Sequence, residues 1–337
     1  MLVAGDIGGT KTILALFSLE NGPRQPLAEA TFPSLQYDGL ADIVREFLVQ
    51  TGQRASMGSF GVAGPVVDGR AKVTNLPWIV DREELKRELG LETVSLWNDL
   101  EIIAASIPIL EPADLYTIND AKPVPHGAIA VLAPGTGLGE AYLTWNGQRY
   151  QPHPSEGGHA DFAPTDSVQV DLLQCLMRKH GHVSYERVCS GGLGIPAIYN
   201  CLKEYGYAQE PAWLAEKLAA ADNPTPIIVN AGLDRQNPCE LCVKTVEVFI
   251  SIMAAEAANL ALKVLARGGV YLGGGIPPRI LPALDRGRFM RAFTHKGRMS
   301  ELLASMPVHV IINPKAGLFG AARLGFEEQT VPEEGTL

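Results

Sequence analysis

Positive charge is scarce in this chain of 337 residues: 28 lysines and arginines face 37 aspartates and glutamates, for a formal net charge of −9. That balance provides no electrostatic footprint for a phosphate backbone, so a nucleic-acid partner is disfavoured. Cysteine is scarce too. Five irregularly spaced cysteines are too few for a disulfide framework, and they fit a reducing cytoplasm. Long apolar runs are also missing. The most membrane-like stretch, 243–265, is interrupted by Lys244, Glu247, Glu256, Asn259 and Lys263. A spanning helix needs about 20 mostly apolar residues, so this stretch reads as a long buried helix. Asp6 cuts short the first apolar run and no basic stretch precedes it, so no targeting segment is expected. A soluble cytoplasmic protein without a membrane partner is the expectation.

What is present is ordinary globular composition, 46% hydrophobic and 19% charged. The length suggests two domains, at roughly 100–200 residues each, with a cleft between them. Short β-rich runs alternate with amphipathic helices. Strands are expected over Leu2–Gly5, Ile13–Ser18, Ala28–Phe32, Ser59–Ala63 and Thr93–Trp97, with a hairpin around Asp68-Gly69. Helices are expected over Leu40–Gln50, Asp81–Leu89 and from Asn98-Asp99 to about Ile109. A polar, proline-containing linker, Glu111 to Gly127, follows. Ala128–Leu132 then runs into a second glycine turn, returning as Leu138–Trp145. Helices are expected over Val168–Lys179, Leu193–Lys203, Ala212–Ala220, Leu241–Ala266 and Leu318–Phe326, and strands over Val270–Leu272 and Val308–Ile312. Strand, glycine turn, strand thus occurs twice, which points to duplicated α/β domains with helices covering each sheet.

The glycine turns invite a phosphate-loop reading, and the familiar ones fail. In Gly5-Asp6-Ile7-Gly8-Gly9-Thr10-Lys11-Thr12, Thr10 separates Gly9 from Lys11, and a strand rather than a helix follows. Gly135-Thr136-Gly137-Leu138-Gly139 has the wrong last interval for a dinucleotide fingerprint. What remains is a pair of β-hairpins whose backbone N–H groups form anion-binding concavities, with Thr10 and Thr136 as hydroxyl donors. Either hairpin alone reads equally well as an ordinary turn; two in corresponding places, one beside Asp6, favour phosphate. Gly273-Gly274-Gly275 is a third point of close approach, suited to a flat ring or simply to a tight turn.

Among polar residues, Asp99 stands where a strand ends and a helix begins. It is either a helix cap or a general base at the carboxyl edge of a sheet. Glu156-Gly157-Gly158-His159 can bring two polar side chains onto one small ligand; a metal there has only Asp161 nearby to add. Glu186 reads locally as a surface charge beside Arg187, unless it converges with others. Cys239 and Cys242 form a lone pair at a helix start, better explained by packing than by zinc or redox chemistry.

Taken in order, these motifs, with Asn98-Asp99 and Gly181-His182-Val183-Ser184-Tyr185-Glu186-Arg187-Val188, resemble the bacterial glucokinase family across residues 5 to about 320. The resemblance implies duplicated actin-like (ribonuclease H-like) domains with an interdomain cleft. The small α/β domain would span 1–109 plus about 313–337, and the large one 110–312. It implies ATP-dependent phosphorylation of glucose at its 6-hydroxyl, Asp99 being the base. Asn98, Asp99, Glu156, His159 and Glu186 match the family's sugar-binding positions. Gly5, Asp6, Ile7, Gly8, Gly9, Thr10, Gly135, Thr136, Gly137, Gly273, Gly274 and Gly275 match its nucleotide segments, and Asp6 its Mg²⁺ position, through water. Glucose and ATP are the implied partners, and a homodimer is carried over from the resemblance alone. Three features depart from or narrow the match. Lys11 stands where many members carry Asn, and Ser155 replaces a glycine common before the sugar-binding Glu. The cysteine-rich zinc motif and helix-turn-helix extension of ROK proteins are missing, which favours the zinc-free branch. Rival readings are another hexose or amino-hexose kinase, a polyphosphate-dependent glucokinase and a catalytically silent sugar sensor.

Overall fold

The computed structural model describes residues 1–284 and 286–328. Asp285 and 329–337, including the end of the expected small domain, lie outside them. The chain forms two compact units: 1–111 with 150–154 and 313 onward, and 112–149 with 155–312.

In the first unit, β1 (Leu2–Ile7) and β2 (Lys11–Phe17) form the expected hairpin, and β3 (Ala28–Pro33) continues the meander. β4 (Met57–Val62) and β8 (Thr93–Asn98) extend the sheet on its other side. The order is β3-β2-β1-β4-β8, with β1, β4 and β8 parallel. A small second sheet holds β5 (Val66–Val67), β6 (Arg70–Lys72) and β7 (Ile79–Asp81). The Asp68-Gly69 turn joins β5 to β6 as expected, whereas β7 is too short and exposed to announce itself.

Both faces of the main sheet are covered. Val3, Leu14, Leu16 and Phe60 pack with Ile43, Val44 and Phe47 of α1 (Leu40–Thr51) and Leu85 of α2 (Arg82–Leu89). On the other face, Leu2, Ala4, Ala15 and Phe17 meet Ile102 and Ala105 of α3 (Asp99–Ser106) and several residues of the final helix (316–328). That final helix is amphipathic only weakly because it is buried almost all round.

In the second unit, β9 (Leu115–Thr117) lies within the stretch expected to be a linker. It pairs antiparallel with a strand nearly two hundred residues on, a long-range pairing that local composition cannot show. β10 (Ile129–Pro134) and β11 (Leu138–Trp145) form the second glycine hairpin. β12 (Tyr150–Ser155), all but its last residue in the first unit, leads to the Glu156 loop. β13 (Gly269–Leu272) and β14 (Val308–Ile311) add to β10 in parallel. The order β11-β10-β13-β14 thus repeats the β2-β1-β4-β8 pattern of the first unit, hairpin then two parallel strands. The duplication inferred from two glycine turns is a duplication of sheet topology.

The helices of this unit are α4 (Ser167–Met177), α5 (Gly194–Glu204), α6 (Ala212–Ala219), α7 (Thr225–Leu233), α8 (Glu240–Val264), α9 (Arg286–Phe293) and α10 (Ser300–Ala304), and the chain's final helix is α11 (Ala316–Glu328). Sequence reasoning omits α7, α9 and α10, because β-branched residues crowd α7, a glycine interrupts α9 and α10 is a single turn. α8 is the long buried helix anticipated, with Phe249, Ile250, Ile252 and Met253 inaccessible to solvent. Among the described residues no helix is long and apolar enough to cross a membrane. One cysteine expectation needs correction: Cys175 of α4 and Cys201 of α5 are joined in a disulfide, their Cα atoms 6.0 Å apart on facing helices. Cys239 and Cys242 are free and buried in the core, in keeping with packing.

Candidate active site

In the first unit the register sets the geometry. Ile7, Val62 and Asn98 stand in one row across β1, β4 and β8, so the hairpin at Gly8–Thr10 and Asp99 leave the same carboxyl edge of the sheet. This is where open α/β sheets place ligands. The Gly8 N–H donates to the carbonyl of Lys11 at 3.0 Å, and the Ser34 hydroxyl to the Gly8 carbonyl at 2.8 Å, which fix the turn. Asp6 lies on β1 just before it. Burial pushes its carboxyl upward from the ordinary range, and the Lys11 charge opposes that shift. Lys11 therefore has an electrostatic partner in Asp6. A β-carbon on Gly317, in the first turn of α11, would stand 2.9 Å from Asp6 Oδ2.

The capping alternative for Asp99 is answered by its neighbour. Asn98 is the N-cap of α3: its Oδ1 accepts from the Leu100 N–H at 2.8 Å, while Glu101 Oε2 accepts from the Asn98 N–H at 2.9 Å. Asn98 Nδ2 also donates to the Gly64 carbonyl at 3.0 Å. Asp99 is the first helical residue, half-buried, with Oδ1 2.9 Å from the Leu100 nitrogen. Its charge sits at the positive end of the helix dipole, where an anion is stabilised.

In the second unit the sequence motifs converge. Gly158 and Gly157 let the 156–159 turn lie directly on β11, since a β-carbon on either would overlap the Leu138 carbonyl or the Glu140 carboxylate. Ser155 has a local role: its hydroxyl accepts from the Gly157 N–H at 3.1 Å. The next residues run beside the Glu186 segment. Phe162 N–H donates to the Val183 carbonyl at 2.9 Å and Tyr185 N–H to the Ala160 carbonyl at 3.0 Å. This short ladder brings His159 Nδ1 to 3.6 Å from Glu186 Oε2, while His159 Nε2 lies 3.8 Å from Glu156 Oε2. Glu186 is therefore part of a cluster of two carboxylates and an imidazole, not a surface charge paired with Arg187. Asp161, the only extra ligand a metal could have used, pairs with His182 at 2.7 Å. Among the described residues no group of three or more His, Cys, Asp or Glu is placed to hold a metal ion.

The second hairpin abuts this cluster. Gly135 and Thr136 carbonyls accept from the N–H groups of Gly191 and Gly192, at 2.7 and 3.0 Å. Gly273 N–H donates to the Leu132 carbonyl at 2.9 Å, and Gly274 turns with φ of +77°, placing 273–275 at the same edge. The Ser190–Gly194 segment that backs the hairpin was missed by sequence reasoning, although its three glycines were a signal. Missed as well was the buried carboxylate pair of Glu140 and Glu256, visible in sequence as two acids in otherwise apolar elements.

Comparison with known proteins matches this geometry to a family. The glucokinase family model matches residues 3–327. A glucokinase from Nostoc punctiforme is 40% identical over 336 residues, covering 96% of this chain and 98% of its own. Among solved structures, a glucokinase from an Antarctic psychrotroph superimposes with a TM-score of 0.80 at 30% identity, covering 97% of this chain and 98% of its own. The fold is shared with a ROK-family glucokinase from Streptomyces griseus, solved with glucose and AMPPNP (TM-score 0.64, 22% identity, 97% and 99% covered). With two topologically equivalent sheets, a glycine hairpin in each and a match over nearly its full length, this chain belongs to the glucokinase family.

Proposed function

We propose that this protein transfers the γ-phosphoryl group of ATP to the 6-hydroxyl of glucose, with Asp99 as the general base. The observation that supports the reading is the convergence of Glu156, His159 and Glu186 against the second glycine hairpin, because two carboxylates and an imidazole suit sugar hydroxyls and a glycine turn suits phosphate. Two carboxylates and an imidazole accept from and donate to a ring of hydroxyls, and Asn98 adds an amide. A site built to pair hydroxyls rejects sugars that leave those groups unpaired.

Asp99 takes the 6-hydroxyl proton as that oxygen attacks phosphorus; such a base contributes roughly 10²–10⁴-fold. Phosphoryl transfer asks mainly for in-line positioning and charge neutralisation, and the glycine turns at Gly8–Thr10 and Gly135–Gly137 suit it by letting phosphate approach the backbone closely. Gly273–Gly275 line the adenosine. The Asp6 carboxylate suits a magnesium ion, since it is a hard oxygen donor withdrawn from water and seated against the bare Cα of Gly317. Bound there through water, Mg²⁺ would neutralise phosphate charge.

The test is ADP release by the purified protein with ATP and Mg²⁺, comparing glucose with fructose, mannose and N-acetylglucosamine. Strong release with glucose alone is the expected outcome. Preference for another sugar overturns the substrate, and glucose binding without release with any sugar makes the protein a sensor.

A further inference from the structure

Beneath the 156–159 turn lies a pair of acids that the reaction as described does not use. Glu140 of β11 and Glu256 of α8 are 1% and 0% exposed, and their carboxyl groups interact with each other. Two carboxyl groups placed so can hydrogen-bond each other only if one carries a proton, because an ionised carboxylate has no donor. The remaining contacts lie mainly on the Glu256 side. Asn259 Nδ2 donates to Glu256 Oε2 at 2.8 Å, and the Tyr185 hydroxyl hydrogen-bonds Glu256 as well. One oxygen of each, Glu140 Oε1 and Glu256 Oε1, is buried with no hydrogen-bond partner among the described residues. The other Glu140 oxygen, Oε2, occupies the space a side chain on Gly157 would need.

The pair therefore touches both parts of the sugar cluster: Glu140 is pressed against the turn carrying Glu156 and His159, and Glu256 holds Tyr185, the residue before Glu186. We propose that Glu140 and Glu256 share a single proton and act together as a positioning pair that seats the sugar-binding turn, so that losing this proton weakens glucose binding. This rests on the sugar-binding role given above to Glu156, His159 and Glu186.

Two like charges buried side by side repel strongly in a low-dielectric interior. The Lys263 charge on α8 opposes the upward shift of both acids and offsets it only in part. Lys296 reaches the pair through Asn259, with its Nζ 2.6 Å from Asn259 Oδ1, and burial lowers its own affinity for a proton. From the Tyr185 segment come the Tyr185 phenol and the Cys189 thiol, both pushed upward mainly by burial and so neutral through the working range. Burial and Glu256 together push Glu140 up to about 8. At neutral pH the shared proton is in place; above pH 8 it is lost, and the turn is displaced by the second charge. Glu156 and His159, on the turn itself, are common to wild type and to every variant below.

The experiment measures kcat and KM for glucose from pH 6.5 to 9.5 for wild type, Glu140→Gln and Glu140→Ala. Glutamine keeps a neutral donor to Glu256, whereas alanine removes it and leaves a hole. For wild type, KM is expected to rise at least about threefold between pH 7 and 9.5 while kcat changes much less, a loss of binding and not of chemistry. In Glu140→Gln the KM profile is flat, and in Glu140→Ala KM is raised about tenfold at every pH. Parallel KM profiles in wild type and Glu140→Gln overturn the proposal. Should Glu140→Gln fail to fold, infrared difference spectra of the wild type between pH 7 and 9.5 decide instead. Loss of a protonated carboxyl carbonyl band supports the shared proton, and its absence overturns it. A wild type that neither binds nor turns over glucose overturns the glucokinase reading itself, and the positioning role with it.

Discussion

The carboxylate of Glu186 rests on the bare α-carbon of Gly137: a β-carbon there would stand 2.5 Å from Glu186 Oε1. A residue of the second glycine hairpin and a residue of the cluster with His159 thus occupy adjoining space, although 49 positions separate them in the chain. Gly137→Ala is expected to fold, because the obstructed atom is the end of a flexible side chain. Its Glu186 must turn away, so KM for glucose should rise about tenfold. Steady-state kinetics with a thermal melt as control checks this, and an unchanged KM would separate Glu186 from sugar binding.

Asp99→Asn should leave helix α3 intact, since the cap belongs to Asn98 and asparagine can still occupy the first helical position. Glucose binding, read by calorimetry, is expected to persist while kcat falls roughly 10²–10⁴-fold. Near-normal turnover would remove Asp99 from the base role.

Asn98→Ala removes both the N-cap bond to Leu100 and the donation to the Gly64 carbonyl. Loss of such a cap costs about 0.5–2 kcal/mol. Chemical denaturation should register that loss, and Asn98→Asp, which keeps the cap oxygen but not the donor to Gly64, should recover part of it. Equal stability of Asn98→Ala and wild type would contradict the capping geometry.

The Glu140–Glu256 pair also makes stability depend on pH. Glu140 binds its proton more tightly folded than unfolded, where the ordinary value is 4.5. The unfolded chain therefore releases this proton first, and stability falls as pH rises. The contribution is fully present below 4.5 and is lost progressively up to about 8. Thermal midpoints are expected to decline across that window in wild type and to decline less in Glu140→Gln. Superimposable profiles would count against a protonated pair in the native state.

Much of this molecule was legible from local pattern. The two glycine hairpins, the strand leading to Asp99 and the buried character of α8 follow from alternation, turn residues and helix length, all of which act over a few residues. Elements governed by distant partners were not legible. β9 exists because β14 offers it an edge, and the bridge between Cys175 and Cys201 exists because α4 and α5 face each other.

The sequence by itself determined which chemical groups are available and the order in which they come: an acid after a strand, glycines at two hairpin turns, and a histidine three residues from a glutamate. Only the tertiary structure decided which of them meet. Glu186 joins His159 through a two-rung backbone ladder, and Glu140 meets Glu256 between a strand and a helix more than a hundred residues apart. The physical reason is range. Propensity and turn chemistry are set by neighbours in the chain, whereas the protonation of a buried acid and the aim of a binding side chain are set by whatever packs against them.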